Sequence, residues 1–210
     1  MDSNDQTKEI INNYEKQNNK TKIVFLNQIS KGIYNAWNQG LVFLLEHVEN
    51  NHFITILNSD DWLEKDCLKK VSKYLNYDLV AGSCMVHYDK KSFMRPCRNL
   101  KFLTIFMAVI DPSLFIKASV FREIGIYKER YFVAADHEFV FRAYEMGCKF
   151  KILNDVLVNM KMGGFAYQNR EKAFLEQLEL TRERCLLPIP EIAFVYRFFK
   201  IPRLRFFDFL

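Results

Sequence analysis

Phe53-Ile54-Thr55-Ile56-Leu57-Asn58-Ser59-Asp60-Asp61 is a short apolar run that stops abruptly on a polar, doubly acidic tip. Five residues rich in Ile and Thr, bounded by polar sequence, predict a buried strand. Ligands of open α/β sheets gather just beyond the carboxyl ends of such strands, so Asp60 and Asp61 stand where a site would be. Two adjacent carboxylates repel one another, and a fold keeps such a pair beside a cation or in full solvent. Oxygen ligands of this kind suit Mg²⁺ or Mn²⁺, which commonly bridge to phosphates. The same residues are placed to cap a helix beginning near Trp62-Leu63-Glu64, and the sequence leaves both readings open.

Outward from this stretch, strand and helix patterns alternate, which favours an α/β sheet. Upstream, apolar residues at Ile10, Ile11 and Tyr14 predict an amphipathic helix over 7–16. Residues 22–26 read as a strand, and 33–48 as a helix with Ile33, Trp37, Leu41, Leu44 and Leu45 on one face. Downstream, a helix is expected over 63–75 and a strand over 77–83, with 85–94 as its pairing partner. The run 102–109 is ambiguous between helix and strand, because a short apolar run without clear periodicity cannot be decided by pattern. Residues 111–116 are expected to be extended, since the residue before Pro112 avoids helix. A short helix over 117–124 ends at Gly125, another runs from Asp136 to Gly147, and strands follow over 151–153 and 156–158. A Met162-Gly163-Gly164-Phe165 loop then leads to a helical region over 168–186. Asp136 reads on its own as the N-cap of its helix, with Glu138 and Arg142 four residues apart as a surface pair.

Half of the 210 residues are hydrophobic, with 20 Phe but few Gly and Pro, so the chain has a real core and is not a repeat or a disulfide scaffold. The five cysteines, Cys67, Cys84, Cys97, Cys148 and Cys185, are scattered and odd in number, and read as thiols in a reducing, cytoplasmic setting. The four histidines form no HExxH or Cys/His cluster, which argues against zinc. The first twenty residues hold no apolar signal-peptide core, and no run reaches the roughly 18 to 20 apolar residues of a membrane span. A net charge of +5 without a recognisable module does not point to nucleic acid. The stretch 192–210 interleaves seven aromatic residues with Arg197, Lys200, Arg203 and Arg205. That composition suits either peripheral contact with an anionic inner-membrane face or docking of the Phe side chains onto the domain.

Several spaced segments together resemble bacterial family 2 glycosyltransferases of the GT-A fold. They are Ser3-Asn4-Asp5-Gln6-Thr7, Lys31-Gly32-Ile33-Tyr34-Asn35-Ala36, Asn58-Ser59-Asp60-Asp61, Pro112-Ser113-Leu114-Phe115, Ala135-Asp136-His137-Glu138-Phe139 with Arg142, and Gly163-Gly164. The resemblance implies an α/β, Rossmann-like nucleotide-diphospho-sugar transferase fold over 1–166, followed by a helical, basic-aromatic extension over 167–210. It implies an inverting transferase that moves a sugar from a nucleotide-diphosphate donor to a hydroxyl of a polysaccharide or lipid-linked glycan acceptor. Asp60 and Asp61 would hold Mg²⁺ or Mn²⁺ on the donor diphosphate, with Lys31, Gly32 and Asn58 also on the donor side. Asp136 would be the general base. Asp111, which stands where related sequences often carry His, would face the acceptor with His137, Glu138 and Arg142, although Arg142 is also in reach of Glu138 as an ion-pair partner.

Relative to that family, about 35 to 40 residues forming a strand, a helix and a second strand are expected to be missing ahead of Ser3, which would leave a parallel sheet with an open edge. The alternative expectation is therefore a non-catalytic remnant that binds a membrane or a partner chain through 192–210.

Overall fold

A computed structural model of the chain describes residues 6–17 and 21–184. In chain order the helices and strands are α1 (Thr7–Gln17), α2 (Ile33–His47), β1 (Phe53–Ile54), β2 (Trp62–Leu63), α3 (Cys67–Val71), β3 (Leu79–Tyr88), β4 (Lys91–Arg95), β5 (Leu114–Lys117), α4 (Ala118–Ile124), α5 (Ala135–Glu145), β6 (Phe150–Lys161), α6 (Phe165–Gln168) and α7 (Arg170–Arg184). Single 3₁₀ turns occupy Ser72–Tyr74, Leu100–Thr104 and Asp111–Ser113. The strands form one mixed sheet in the order β1-β5-β3-β6-β2. β3 is its axis. β6 runs parallel along one edge of β3, while β5 and then β4 pair antiparallel along the other.

Side chains of a strand alternate between the two faces of a sheet, and the core divides accordingly. Leu79, Ala81, Leu114 and Ile116 pack with α2, α4 and α5 through Leu41, Phe121 and Phe139. Val80 and Phe115, one residue out of phase, pack with Cys67 and Val71 of α3 and with Leu157 and Val158 of β6. α2 buries the face expected of it, with Ile33, Trp37, Leu44 and Leu45 against the first cluster. Gly32, at φ 119, makes the turn into that helix in a backbone region that side chains rarely adopt.

Several expected elements differ in the structure, first of all the buried strand expected over 53–57: only Phe53–Ile54 pair, and the chain runs on from Thr55 to the acidic turn without a ladder, with Leu57 exposed. Residues 22–26 form no strand: they run without a ladder, and Val24, Phe25 and Leu26 are 43%, 46% and 39% exposed. A strand exists only beside a neighbour, and β1, the outermost strand, is paired with β5 alone among the described residues. The helix expected over 63–75 starts late, because Trp62 and Leu63 pair with Asn159 and Val158 of β6, and the Glu64 amide donates to the Leu157 carbonyl at 2.8 Å. Only α3 and a 3₁₀ turn remain of it.

The strands expected over 151–153 and 156–158 are one, β6, with a bulge opposite Gly82. There the backbone of β6 folds over β3 so closely that a Cβ on residue 82 would lie 2.4 Å from Leu157 Cγ and 2.9 Å from the Asp155 carbonyl. Gly82 is what allows the approach. The ambiguous run 102–109 is a 3₁₀ turn followed by irregular chain.

α7 packs into the first core cluster through Leu180, and Thr181 Oγ1 donates to the Thr104 carbonyl at 2.7 Å. The described part of the expected 167–210 extension thus packs on the core. The basic-aromatic stretch 192–210 lies outside the described residues. Among the described residues, no helix is long and apolar enough to cross a membrane.

Candidate active site

The acidic tip that ends the 53–61 run lies on a cavity of about 430 Å³. Its walls come from the start of α2, the 111–112 turn, the start of α5, the far end of β6 and α7. Asn58, Asp60, Asp61, Asp111 and Asp136 all line it, so four carboxylates up to 76 residues apart in the chain come to one space. Arg95 and Lys161 are the basic side chains among its lining residues.

The tip is a turn and not a helix cap. The Asp61 amide donates to the Asn58 carbonyl at 3.1 Å, and Asn58 Nδ2 donates back to Asp61 Oδ2 at 3.1 Å. Asp61 Oδ1 is buried with no hydrogen-bond partner. Burial pushes the Asp61 carboxyl above its ordinary range and the Asp60 charge adds to this, while the Asn58 bond and the Lys161 backbone oppose it. Asp60 is exposed, and the Gly163-Gly164 turn comes up beside it: a Cβ on Gly164 would sit 4.0 Å from Asp60 Oδ2.

A buried oxygen without a partner beside a second carboxylate is a fitting donor set for a hard divalent cation that takes its other ligands from phosphate and water. It is not an all-protein cage. Among the described residues, no group of three or more His, Cys, Asp or Glu is gathered to hold a metal.

Asp136 sits in the first turn of α5, and the expected capping role is not its own: the N-cap is Ala134, without a side-chain bond. Asp136 Oδ1 accepts instead from the His137 amide at 2.8 Å and from Tyr34 Oη at 3.1 Å. The same hydroxyl lies 2.5 Å from the Val133 carbonyl. Burial pushes the Asp136 carboxyl up to about 6, against the pull of the His137 and Tyr34 bonds. Asp111 is raised as well, first by burial and then by the charges of Asp136 and Asp61. Tyr34 and Tyr127 are likewise raised, by burial and by these two carboxylates. The interior of the cavity is thus acidic and poorly solvated on one side.

Five of the expected site residues converge in this way and five do not. Lys31 and Gly32 are exposed and do not line the cavity, although Ile33 and Tyr34, just after them, do. The acceptor-side placement of His137, Glu138 and Arg142 is corrected by the structure. His137 is 1% exposed, with Nε2 2.6 Å from the Leu103 carbonyl. Glu138, fully buried, holds Lys128 at 2.6 Å, Arg142 at 3.0 Å and Arg184 at 3.2 Å. Arg142 also donates to the Ile124 and Ile126 carbonyls. One turn of helix explains the split: Asp136 points to the cavity, while the next two positions rotate into the interior. The expected Glu138–Arg142 pair does form, but as the centre of a buried network and not on the surface.

Two residues were missed. Tyr34 lies in the quoted Lys31-to-Ala36 segment, but nothing local shows that its hydroxyl reaches Asp136. Glu176, on α7, accepts from the backbone amides of Phe132, Val133 and Ala134 at 2.8, 2.8 and 3.0 Å. No sequence signal marks it, since its partners are more than 40 residues away.

A mixed sheet flanked by helices, with an acidic turn just ahead of β2 lining the same cavity as a second aspartate at a helix start, is that of a nucleotide-diphospho-sugar transferase fold of the GT-A type. The chain belongs to glycosyl transferase family 2, whose model matches residues 2–157. It is 30% identical over 99 residues to the uncharacterised glycosyltransferase MG025 of Mycoplasma genitalium, a match covering 44% of this chain and 30% of that protein. Two structures of TarS from S. aureus, one of them residues 1–349 in complex with UDP, superpose with TM-scores of 0.60 and 0.59 at 18% identity, each over 96% of this chain. The chain spans 37% and 61% of those two TarS chains.

Proposed function

We propose that the chain transfers a sugar from a nucleotide-diphosphate donor to a hydroxyl of a glycan or lipid-linked acceptor, with inversion at the anomeric carbon. The observation that carries this reading is the placing of Asp136, held near 6 by burial, across one cavity from Asp60 and Asp61. A carboxylate poised close to neutral pH is suited to take a proton and to release it again. Membership of the family and likeness to a protein solved with UDP support a nucleotide-sugar donor.

In this reading the donor diphosphate lies against the 58–61 turn, with Lys161 and Arg95 as the cations on its side of the cavity. Asp61 Oδ1 and Asp60 would hold Mg²⁺ or Mn²⁺, which supplies charge neutralisation to the departing diphosphate. Asp136 accepts the proton of the acceptor hydroxyl as that oxygen bonds to the anomeric carbon. The bond from that carbon to the diphosphate oxygen breaks with its electron pair, and the nucleotide diphosphate leaves. Tyr34 fixes the orientation of Asp136 for this step. Asp111 lines the same space.

The test is calorimetric titration of the purified chain with nucleoside diphosphates and their sugars, with and without Mn²⁺. Metal-dependent binding that Asp61→Ala weakens is the expected result, together with turnover that Asp136→Asn abolishes. A folded chain that binds none of them overturns the reading, and favours a non-catalytic role.

A further inference from the structure

α7 carries a carboxylate that the proposed chemistry does not use. Glu176 is 8% exposed, and a buried charge is tolerated only where bonds replace its water. Here the bonds are three backbone amides in succession, two on Oε2 and one on Oε1. Those amides belong to the segment that enters α5, whose N-cap residue, Ala134, offers no side chain of its own. These three amides stand just ahead of the first turn of α5, so Glu176 does not cap the helix but ties down the chain that leads into it.

The opposite side of the same segment is held as well. The Val133 carbonyl accepts from Tyr34, whose hydroxyl also meets Asp136. Glu176 therefore grips the amide side, and Tyr34 the carbonyl side, of the residues that set where Asp136 points. On the same helix, Ala173 and Gln177 line the cavity, so α7 is both its wall and the anchor of the loop.

The geometry points to Glu176 as a positioning residue: through the backbone of 132–134 it fixes Asp136 at the cavity and ties that placement to α7. The inference rests on Asp136 being the base, but its test does not need a substrate. The groups facing Asp136 are Tyr34 from α2, Tyr127 from the loop before α5, Asp111 from its 3₁₀ turn, the His137 amide and Glu176 itself. Of these, Glu176 contributes a negative charge that raises Asp136.

In Glu176→Gln the single carbonyl oxygen can accept the Val133 and Ala134 amides, but an NH₂ group then opposes the Phe132 amide. Amide exchange at 132–134 should quicken by at least about tenfold, with exchange in β3 unchanged. The Asp136 titration midpoint, read by carboxyl-carbon NMR, should fall by roughly half a unit or more, because a like charge is lost and the loop admits water. If Glu176→Gln does not fold, Glu176→Asp serves: it keeps the charge but shortens the reach, so exchange should quicken while the midpoint falls less.

Unchanged exchange at 132–134 and an unchanged Asp136 midpoint in a folded variant would overturn the inference. Asp136→Asn turning over like the parent would instead remove the proposed base and leave the clamp standing on the exchange data.

Discussion

Replacing Asp136 by Asn should make the protein more stable above neutral pH while removing its turnover. The Asp136 carboxyl has an ordinary pKa of 3.8 and is held at about 6 in the fold, chiefly by burial. A difference of about two units, at ~1.4 kcal/mol each, is about 3 kcal/mol between the two protonation states. The folded state binds the proton more tightly, so below pH 3.8 folded and unfolded chains are both protonated and the group is neutral to stability. Between pH 3.8 and about 6 the unfolded chain ionises first and stability falls; above about 6 the full penalty is present. Asn keeps an oxygen that can accept from the His137 amide and from Tyr34, so little hydrogen bonding is lost. A net gain of about 2 kcal/mol at pH 8 corresponds to a rise in Tm of roughly 4 to 8 °C for a chain of this size. At pH 4 the gain should nearly vanish. Thermal unfolding of parent and variant at the two pH values, followed by calorimetry, measures both. A variant less stable than the parent at pH 8, or shifted equally at pH 4 and pH 8, would refute the claim that Asp136 is stored in a destabilised ionised form.

Tyr34→Phe removes a donor that holds Asp136 down, so the acid limb of any pH–rate profile should move to higher pH, by up to about one unit. An unmoved limb would mean that the Tyr34 contact does not persist in solution. For Glu138, burial pushes the carboxyl up, but bonds from Lys128 and Arg142 outweigh it and hold it below its ordinary 4.5. Its stabilising contribution is present above that value and is lost as pH falls through the lower folded one. Glu138→Gln takes the carboxylate partner from the mostly buried Arg142 and from the more exposed Lys128, while Arg184 keeps Glu145, and should cost about 2 to 3 kcal/mol at pH 7, seen in urea unfolding. Gly82→Ala drives a methyl group against the Asp155 carbonyl, which cannot move as a side chain can, and should cost about 1 to 3 kcal/mol in the same assay.

What the sequence disclosed and what it hid follow the range of the interactions. α2 and α4 were legible because local pattern and end signals agree: an apolar face after Gly32, and Gly125 at φ 84 closing the second helix. The short β2 was not, since nothing in Trp62-Leu63 says that the edge of β6 will recruit it in place of a helix. The strand expected over 22–26 shows the reverse error. Its β propensity is real, but propensity is realised only beside a partner, and the described chain offers none. The single strand β6 was read as two because its bulge is fixed by Gly82 on the far side of a parallel pairing, more than 70 residues away.

The site divides along the same line. Asp60, Asp61 and Asp136 could be picked out because a short acidic side chain is conspicuous where an apolar run breaks off or a helix begins, although the run before Asp60 is strand only at Phe53–Ile54. Two of the neighbours that decide how they behave were invisible, because they arrive from elsewhere: Tyr34 from α2 and Glu176 from α7, whereas Asp111 stood out only through the family resemblance. For His137 and Glu138 the error was to let sequence adjacency to Asp136 stand for adjacency in space. A helix turns about 100° per residue, so the two positions after a cavity-facing aspartate must face somewhere else. Here they face the interior, and Glu138 uses its position to draw Lys128, Arg142 and Arg184 around one buried carboxylate. The carboxylate that burial raises and the residues that hold its helix in place thus share one segment.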